Sequence, residues 1–248
     1  MNIVVCISSV PDTTAKINFT DNNTKFDTNE VQFVINPYDE FGLTKAMMLK
    51  ESNGGKVTVI TVGDTSVEAV MRKALAIGAD EAVRINMIPQ DSYSTAVEIT
   101  KYLNENPADL IITGRESIDY NGGAVGGMIA EMLELPFINA CNGLHLSSNT
   151  VNLTREIDGG KEHLSVNLPF VIGGQKGLVQ ESELRIPNMR GIMQARTKPL
   201  ATIEPSINES LTSSINFEKP ADKEACKFVS SDNVAELVSL LKNEAKAI

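Results

Sequence analysis

Cysteine and histidine are scarce in this chain, whose 248 residues include three cysteines and two histidines. The cysteines, Cys6, Cys141 and Cys226, lie far apart, are odd in number and form neither a CxxC pair nor a disulfide framework. We therefore expect a reducing, cytoplasmic compartment. The two histidines, His145 and His163, are too few for a histidine-rich metal site, so we assign no metal ligand.

Long apolar runs and an excess of positive charge are also missing. No apolar stretch approaches the roughly 20 residues that a membrane-spanning helix needs, and the start of the chain lacks the basic flank of a signal peptide. The 22 lysines and arginines are outnumbered by 32 aspartates and glutamates, which gives a formal net charge of -10. An acidic balance argues against binding to nucleic acid or to an anionic membrane surface, so we expect neither partner.

Motifs for nucleotide hydrolysis are absent as well. The sequence has no P-loop, and no GxGxxG follows its first apolar strand. An ATP-pyrophosphatase of related fold would carry an SGG-type phosphate loop after that strand, where this chain reads SSVPD. No nucleophile and base stand together in a recognisable motif either. An ATP-cleaving enzyme is therefore disfavoured, and we assign no catalytic residue.

The most informative segment that is present runs from Asp109 to Met132. A buried strand at 110–113 leads into a polar loop, and four glycines then open a helix. Glycines let the backbone approach a ligand closely, and the free N–H groups and dipole of a helix start favour an anion. Many α/β proteins place glycines here for packing alone, but the segment suggests a bound nucleotide. The glycines are Gly122, Gly123, Gly126 and Gly127.

Apolar strands and amphipathic helices alternate over the first 140 residues. The strands are predicted at 2–8, 57–62, 82–85, 110–113 and 137–140. This alternation predicts a doubly wound, mostly parallel α/β sheet. Ligands of such sheets bind at the carboxyl ends of the strands, so the loops after Cys6, Val62 and Thr113 form the candidate site.

Several polar residues beside these loops have both a local and a functional interpretation. Asn36 is suited to cap the helix that follows it, and it is also suited to contact a nucleotide. Asp119 is suited to form a turn, to order the glycine loop or to bind a ribose. Arg115 either faces a phosphate or is simply solvated. Further helix starts are expected at Ser66 and at Thr95, which has Glu98 in capping-box spacing.

The pattern changes in the second half of the chain. Two alternating segments at 150–157 and 163–168 flank Asp158-Gly159-Gly160 and predict a β-hairpin. The chain is then polar and without period from 201 to 225, and an amphipathic helix is expected at 233–247. This extended C-terminal arm packs either on its own domain or on a partner subunit, and the pattern alone does not separate the two.

Apolar side chains also stand among arginines between residues 186 and 193. Methionine suits a surface that repacks against different partners. The segment is therefore either a docking surface or a loop that tucks its apolar residues onto the domain. Its apolar members are Ile186, Met189, Ile192 and Met193.

Six segments of the chain carry a resemblance to a known family. They are, in order, NIVVCISSVPDTTAKI, INPYDEFGLTKAMMLKE, MRKALAIGADEAVRI, DLIITGRESIDYNGG, LTREIDGGKEHLSVNLPFVIGG and IPNMRGIMQARTKPL. As a set they resemble the beta subunit of electron-transfer flavoprotein. The similarity runs over nearly the whole chain and is weakest after about residue 200. The REIDGG block, NPYDE and RKALAIGAD are specific in combination.

The resemblance implies a fold, a cofactor and a set of partners. It implies an adenine nucleotide alpha hydrolase-like α/β domain over residues 1–200, which includes a partner-recognition loop at 178–196. It also implies a C-terminal arm, 201–248, that packs on an alpha subunit. The beta subunit would hold a structural AMP, and the alpha subunit would hold the redox FAD. The pair would accept electrons from flavin dehydrogenases, such as acyl-CoA dehydrogenases, and pass them to a quinone reductase without catalysis by this chain.

The resemblance also implies which residues contact the cofactors and partners. By motif position, the AMP contacts are Cys6, Asn36, Pro37, Tyr38, Asp39, Val62, Gly63, Gly114, Arg115, Ser117, Ile118, Asp119, Gly122, Gly123, Ala124 and Val125. The turn at Pro11, Asp12 and Thr13 would approach the partner's flavin. Ile186 or Met189, near Ile192 and Met193, would anchor the recognition loop on the dehydrogenase.

One departure from the family pattern leaves the nucleotide open. Many members have Asn-Gln-Thr-Gly where this chain has Gly123-Ala124-Val125-Gly126. Two polar side chains that would hold a phosphate are missing, so backbone N–H groups would carry more of the binding. Some electron-bifurcating members also differ here and bind a second FAD in place of AMP, which is the alternative. A stand-alone adenine-nucleotide sensor is a third hypothesis, and the C-terminal arm argues against it.

Overall fold

Buried strands and helices alternate along the computed structural model, which describes residues 1–147, 150–206, 209–223 and 225–248. The strands are β1 Asn2–Cys6, β2 Ser9–Pro11, β3 Phe19–Thr20, β4 Lys25–Phe26, β5 Phe33–Ile35, β6 Lys56–Val62, β7 Glu81–Ile85, β8 Leu110–Gly114, β9 Phe137–Ser147, β10 Thr150–Ile157, β11 Gly160–Asn167, β12 Phe170–Gly174 and β13 Leu200–Ile203. The helices are α1 Pro37–Asn53, α2 Glu68–Ile77, α3 Ser92–Glu105, α4 Val125–Met132, α5 Met189–Ala195 and α6 Val234–Ser239. In the described ranges, no helix has both the length and the apolar content needed to cross a membrane.

The main sheet has the doubly wound order that the alternation predicts. Among the described residues it contains nine strands in the order β11-β10-β9-β12-β8-β1-β6-β7-β13. In this spatial order, neighbouring strands from β9 through β12, β8, β1, β6 and β7 to β13 are all parallel. β10 is antiparallel to both β9 and β11. The chain moves outward from β1 to β6 and β7, then returns to place β8 on the other side of β1. The strand order therefore reverses at β1, where sheets of this kind bind ligands.

Both faces of the central strands are covered, which explains why β1, β6 and β8 are continuous apolar runs. In β1, Ile3 and Val5 pack in the cluster that includes α1 and α2 residues, while Val4 and Cys6 pack in the cluster that includes α3 and α4 residues. Alternate residues of a strand point to opposite faces, so a strand covered on both sides needs apolar residues throughout. Full burial of each such side chain contributes about 1.5–3 kcal/mol. The apolar layers hold the carboxyl ends of the strands at fixed positions.

Two expected helix caps are wrong, because nearby aspartates take that role. Asp64, rather than Ser66, caps a 3-10 turn over Thr65–Val67 by accepting the Ser66 N–H at 2.9 Å, and α2 follows that turn. Asp91 caps α3, which begins at Ser92 rather than near Thr95. A carboxylate is a strong acceptor for the unpaired N–H groups of a helix start.

The Glu98 carboxylate does not complete the expected capping box. It accepts hydrogen bonds from the backbone N–H of Ser206, at 3.0 and 3.1 Å, and from the Ser206 hydroxyl. Glu98 is only 3% exposed, so its buried carboxylate needs hydrogen-bond donors. Ser206, which is distant in sequence, supplies them in place of the local helix start.

The predicted hairpin is present: β10 has the expected bounds, and β11 begins at Gly160 rather than at His163. β10 and β11 pair from Thr150 with Asn167 to Ile157 with Gly160. The turn uses Gly159 at a φ of 83°, a conformation that favours glycine. β9 extends to Ser147 instead of ending near 140, because its second half pairs with β10.

The expected recognition loop contains a short helix, α5, packed against α2. A Cβ on Gly191 would lie 2.3 Å from the carbonyl oxygen of Ala76, so glycine permits this close approach. The guanidinium of Arg72 donates to the carbonyl oxygens of Ala195 and Lys198, at 2.7 and 2.8 Å. These contacts fix the segment that leads into β13.

The C-terminal arm begins within the main sheet. β13 pairs in parallel with β7, so the expected boundary between residues 200 and 201 falls inside a strand. Residues 207, 208 and 224 of the expected arm 201–248 lie outside the described residues. The arm ends in α6 and a π-helical turn over Leu240–Glu244, a shorter helical segment than the expected 233–247.

Candidate functional site

A cavity of about 560 Å³ opens at the carboxyl ends of β1, β6 and β8. Its size lies in the usual range for small-molecule sites. The three loops expected from the sequence, after Cys6, Val62 and Thr113, all contribute to its lining. Two further segments line it as well: the loop that joins β7 to α3, residues 88–92, and the arm residues Thr212 and Ser214.

The structure brings most of the expected nucleotide-binding residues together around this cavity. Those that line it are Cys6, Asn36, Asp39, Val62, Gly63, Gly114, Ser117, Asp119, Gly122, Gly123 and Val125. Within the described chain, Pro37, Tyr38, Arg115, Ile118 and Ala124 are not part of the lining. The Arg115 guanidinium donates instead to the side-chain oxygen of Gln175, at 3.2 Å.

Asn36 stands at the N-cap position of α1, but its side chain holds the loop after β8. Its Nδ2 donates to the carbonyl oxygen of Glu116 at 2.8 Å, and its Oδ1 accepts the N–H of Ile118 at 3.3 Å. Asn36 is 1% exposed. The expectation that this side chain caps the helix is therefore wrong, because the buried loop carbonyl and N–H need partners more than the helix start does.

Asp39 is the buried acid of the site. The Ser8 N–H donates to its Oδ2 at 2.7 Å. Burial raises the pKa of this carboxyl to about 7, against hydrogen bonds from Ser8, Asn36 and Gly114 that favour the ionised form. Near neutral pH, Asp39 can accept a hydrogen bond as a carboxylate or donate one as an acid.

Cys6 lies beside Asp39 and is a neutral wall of the cavity. Burial, reinforced by the Asp39 carboxylate, raises the pKa of the Cys6 thiol far above its ordinary value. A thiolate is the reactive form of cysteine, so Cys6 is suited to apolar contact rather than to nucleophilic chemistry.

Gly114 allows the end of β8 to lie against the start of α1. A Cβ at Gly114 would lie 2.3 Å from Asp39 Oδ1 and 3.0 Å from Asn36 Nδ2. A larger residue would therefore displace the buried side chains of Asp39 and Asn36.

The start of α4, whose first N–H groups have no partner within the helix, lies at the cavity. Val125 and Gly126, at its N-terminus, are both part of the lining. A Cβ at Gly126 would lie 2.5 Å from Thr113 Oγ1, so only glycine lets the helix start this close to β8. The preceding loop is closed by the Ser117 N–H, which donates to the carbonyl oxygen of Gly122 at 3.0 Å. Backbone donors of this kind bind phosphate groups.

All charged side chains among the described lining residues are acids. They are Asp39, Asp64, Asp91, Glu116 and Asp119. The expectation that Asp119 lies in a turn is confirmed, since residues 118–121 form a turn; its Oδ1 accepts the N–H of Tyr120 at 2.9 Å. An anion in this cavity would depend on backbone N–H groups and hydroxyls, because the described lining supplies no lysine, arginine or histidine.

The residues expected near the partner's flavin lie outside the cavity lining. Pro11 ends β2, which pairs with β5. The Asp12 carboxylate accepts the Thr14 N–H and hydroxyl, at 2.9 and 2.6 Å, and these bonds lower its pKa. Thr13 is exposed. The turn is thus locally ordered and presents its outer side to solvent.

The expected recognition residues form an exposed apolar group on and before α5. Ile186 is 85% exposed, Met189 75%, Ile192 41% and Met193 67%. Exposed apolar side chains that lie this close together in sequence are typical of a protein-binding surface.

Sequence reasoning missed the α3 side of the cavity and the arm. Asp91 was the accessible signal, because an aspartate followed by serine directly before an apolar-periodic segment is a helix-start pattern. Thr212 and Ser214 gave no comparable signal, since their segment is polar and has no period.

Comparisons with known proteins were consistent over most of the chain. Residues 23–208 match the family described as electron transfer flavoprotein domain. The chain is 34% identical over 262 aligned positions to the electron transfer flavoprotein subunit beta of Bacillus subtilis, and the whole of both chains is covered. It is 32% identical over 227 positions to the subunit of that name in Syntrophomonas wolfei, which covers 91% of this chain and 88% of that one. It is also 32% identical over 205 positions to Protein FixA of Azotobacter vinelandii, with 79% and 72% covered.

Proposed function

This chain belongs to the electron transfer flavoprotein family, as a beta subunit, and from that membership we propose that it binds one structural AMP in the cavity. Its partner is an alpha subunit whose FAD carries the electrons, and this chain is an electron-carrier subunit rather than an enzyme. The observation that supports the proposal most directly is the position of the cavity, which lies where the strand order reverses and is lined by the loops after β1, β6 and β8.

The chemistry of the cavity fits an adenine nucleotide with one phosphate. Cys6, Ile60 and Val62 give an apolar wall suited to a base, and Asp39 can exchange hydrogen bonds with ring nitrogens or an amino group. The start of α4 supplies N–H donors and a favourable dipole for a phosphate. The acidic lining disfavours additional phosphate groups, because each would add negative charge close to Asp64 and Asp119.

The exposed surfaces support a carrier that meets several partners. The apolar group around α5 would dock on flavin dehydrogenases, such as acyl-CoA dehydrogenases, through Met189 or Ile186. The turn at 11–13 would face the flavin of the alpha subunit, and α6 with its exposed Val234, Leu237 and Val238 would pack on that subunit. A quinone reductase would receive the electrons. We expect the complex in the cytoplasm, on the cysteine usage of the sequence.

A bifurcating subunit that binds FAD in place of AMP is the second candidate. The observation that favours it is the apolar pair Ala124-Val125 at the start of α4, where polar side chains would mark a phosphate-binding AMP site. The cavity also continues from the β8 loop to the arm, which leaves room beyond a mononucleotide.

Nucleotide extraction from the complex purified with its alpha subunit tests the proposal. Denaturation and chromatography should release one AMP and one FAD per heterodimer. Two FAD and no AMP would replace the carrier with the bifurcating subunit. A complex that holds one FAD and no second nucleotide would overturn nucleotide binding by this chain.

A further inference from the structure

After it leaves β13, the C-terminal arm runs beside the cavity and contributes to its lining. The arm is first held where Glu98 of α3 accepts hydrogen bonds from Ser206. It then passes the start of α3, where Thr212 and Ser214 contribute to the cavity lining. These two residues come from a part of the chain more than 80 positions beyond the glycine loop.

Beyond the cavity, the arm is fastened to the small hairpin of β3 and β4. The Phe217 N–H donates to the carbonyl oxygen of Asn23 at 2.7 Å, and the ring of Phe217 stacks on Phe19 with centroids 5.3 Å apart. The Lys219 ammonium donates to the side-chain oxygen of Asn18 at 2.9 Å. The segment beside the cavity is therefore anchored at both ends.

Asp91 joins the arm to the cavity wall by using its two oxygens differently. Its Oδ1 accepts the N–H and hydroxyl of Ser94, at 2.8 and 2.7 Å, and so caps α3. Its Oδ2 accepts the N–H groups of Leu211 and Thr212, at 2.6 and 2.9 Å. These hydrogen bonds, those of Ser94 first, hold the pKa of Asp91 at about 2, so the carboxylate is charged and satisfied at every physiological pH.

The chemistry of the two arm residues suits a polar ligand in an acidic cavity. Hydroxyl groups are neutral donors and acceptors, and they can approach a ribose or a phosphate without the repulsion that a carboxylate would bring. Donors from the arm and from the start of α3 hydrogen-bond to both oxygens of the Asp91 carboxylate. Its negative charge is therefore stabilised by the protein and is less repulsive to a ligand in the cavity. The arm thus completes the polar lining that the glycine loop begins.

We propose that the arm segment 209–217 is a wall of the nucleotide site, that the hydroxyls of Thr212 and Ser214 contact the bound adenine nucleotide, and that Asp91 positions them. This inference rests on the proposed nucleotide-binding function. As one wall of the site the arm would help to retain the nucleotide, so loss of the Asp91 contacts should speed nucleotide release. Asp91 is a positioning residue, because it acts on the ligand through the arm.

Asp91→Asn separates the two roles of this side chain. Asparagine keeps an oxygen acceptor for the α3 cap, but its amide nitrogen cannot accept from Leu211 and Thr212. In the complex with the alpha subunit loaded with labelled AMP, release into excess unlabelled AMP should be faster by about ten-fold or more, the usual effect of losing hydrogen bonds to a charged group. Ser94→Ala is the matched control, because it removes a hydroxyl from the cap and leaves the arm contacts intact; its release rate should stay within about two-fold of wild type.

Leu211→Pro makes the same test from the arm, since proline removes one of the two N–H donors and leaves Asp91 unchanged. It should also release AMP faster.

The double variant Thr212→Val and Ser214→Ala removes only the two hydroxyls, and it should weaken AMP affinity while the arm stays in place. Wild-type release from both Asp91→Asn and Leu211→Pro, or wild-type affinity of the double variant, would overturn the inference. Loss of all bound nucleotide from wild type would instead overturn the proposed function. If the extracted nucleotide is FAD, the same rates are read with FAD.

Discussion

Asn36 and Glu116 are 80 positions apart in the chain, yet the Asn36 side chain donates to the Glu116 carbonyl oxygen at 2.8 Å. The same side chain accepts the N–H of Ile118. One buried amide therefore ties the start of α1 to the loop after β8, and these are two of the elements that line the cavity. The position of Asn36 directly before a helix conceals this role, because a cap is the usual function of asparagine there.

Asn36→Ala should destabilise the protein and, at the same time, loosen the proposed nucleotide site. It leaves the Glu116 carbonyl and the Ile118 N–H without their partner, and each buried unpaired group costs about 1–3 kcal/mol. We expect a lower thermal midpoint and less co-purified nucleotide. Asn53→Ala, at the other end of the same helix, removes a side-chain bond to the Leu49 carbonyl and should leave nucleotide content unchanged. Equal nucleotide content in the two variants would contradict the role assigned to Asn36.

The sheet could be predicted from the sequence because its information is local. Each central strand is a short apolar run covered on both faces, and each is followed by a helix with its own apolar stripe. The reversal of strand order then places the ligand site without knowledge of any side-chain contact. This is why the loops after Cys6, Val62 and Thr113 were identified correctly as cavity-lining elements.

The remaining features of the site depend on partners that are distant in sequence. Asp91 binds N–H groups 120 and 121 positions away, and Glu98 binds Ser206 at a separation of 108. No periodicity marks such pairs, and the local patterns favoured Thr95 and Glu98 as a capping box instead. The arm was expected to be extended, but its course beside the cavity follows only from these contacts.

Two adjacent glycines of α4 should respond to alanine with opposite signs. At Gly126 a Cβ would lie 2.5 Å from Thr113 Oγ1 and 3.1 Å from the Phe137 ring, so Gly126→Ala should cost about 1–3 kcal/mol and displace the start of α4 at the cavity. At Gly127 the nearest Phe137 atoms would lie 3.5 Å or more from the Cβ, an ordinary contact. Gly127→Ala should therefore gain about 0.5–1 kcal/mol from helix propensity.

Thermal unfolding and nucleotide extraction of both glycine variants check this pair. We expect Gly126→Ala to lower the midpoint and the nucleotide content, and Gly127→Ala to raise the midpoint with full content. Identical behaviour of the two variants would mean that the close approach of α4 to β8 does not control the site.

Met189→Ala should slow electron transfer from a flavin dehydrogenase while nucleotide content stays unchanged. Met189 is 75% exposed on α5 and lies outside the cavity lining, so its removal costs contact with a partner and little stability. Ile186→Ala should act in the same direction. Gln194→Ala is the control, because it changes an exposed polar residue of the same helix. Reduction of the complex by an acyl-CoA dehydrogenase and its substrate gives the rate, and wild-type rates in both apolar variants would remove the docking assignment.

Asp39 should make the stability of the protein fall as the pH rises from about 4 to about 7. Burial raises the folded-state pKa of this carboxyl to about 7, above its unfolded value of about 4, so between these values the folded state binds more protons than the unfolded state. The contribution of Asp39 to the free energy of unfolding is fully present below the unfolded-state pKa and is lost as the pH rises through the folded-state pKa; the total loss is about 4 kcal/mol.

Asp39→Asn keeps an uncharged polar side chain at the same place and should remove this pH dependence. Thermal midpoints of both proteins from pH 4 to 8 give the comparison, and the variant should gain on wild type toward pH 8. A constant difference between the two curves would show that Asp39 carries the same charge in the folded and unfolded states. Asp39 would then be ionised near neutral pH and could not donate a hydrogen bond to a bound nucleotide.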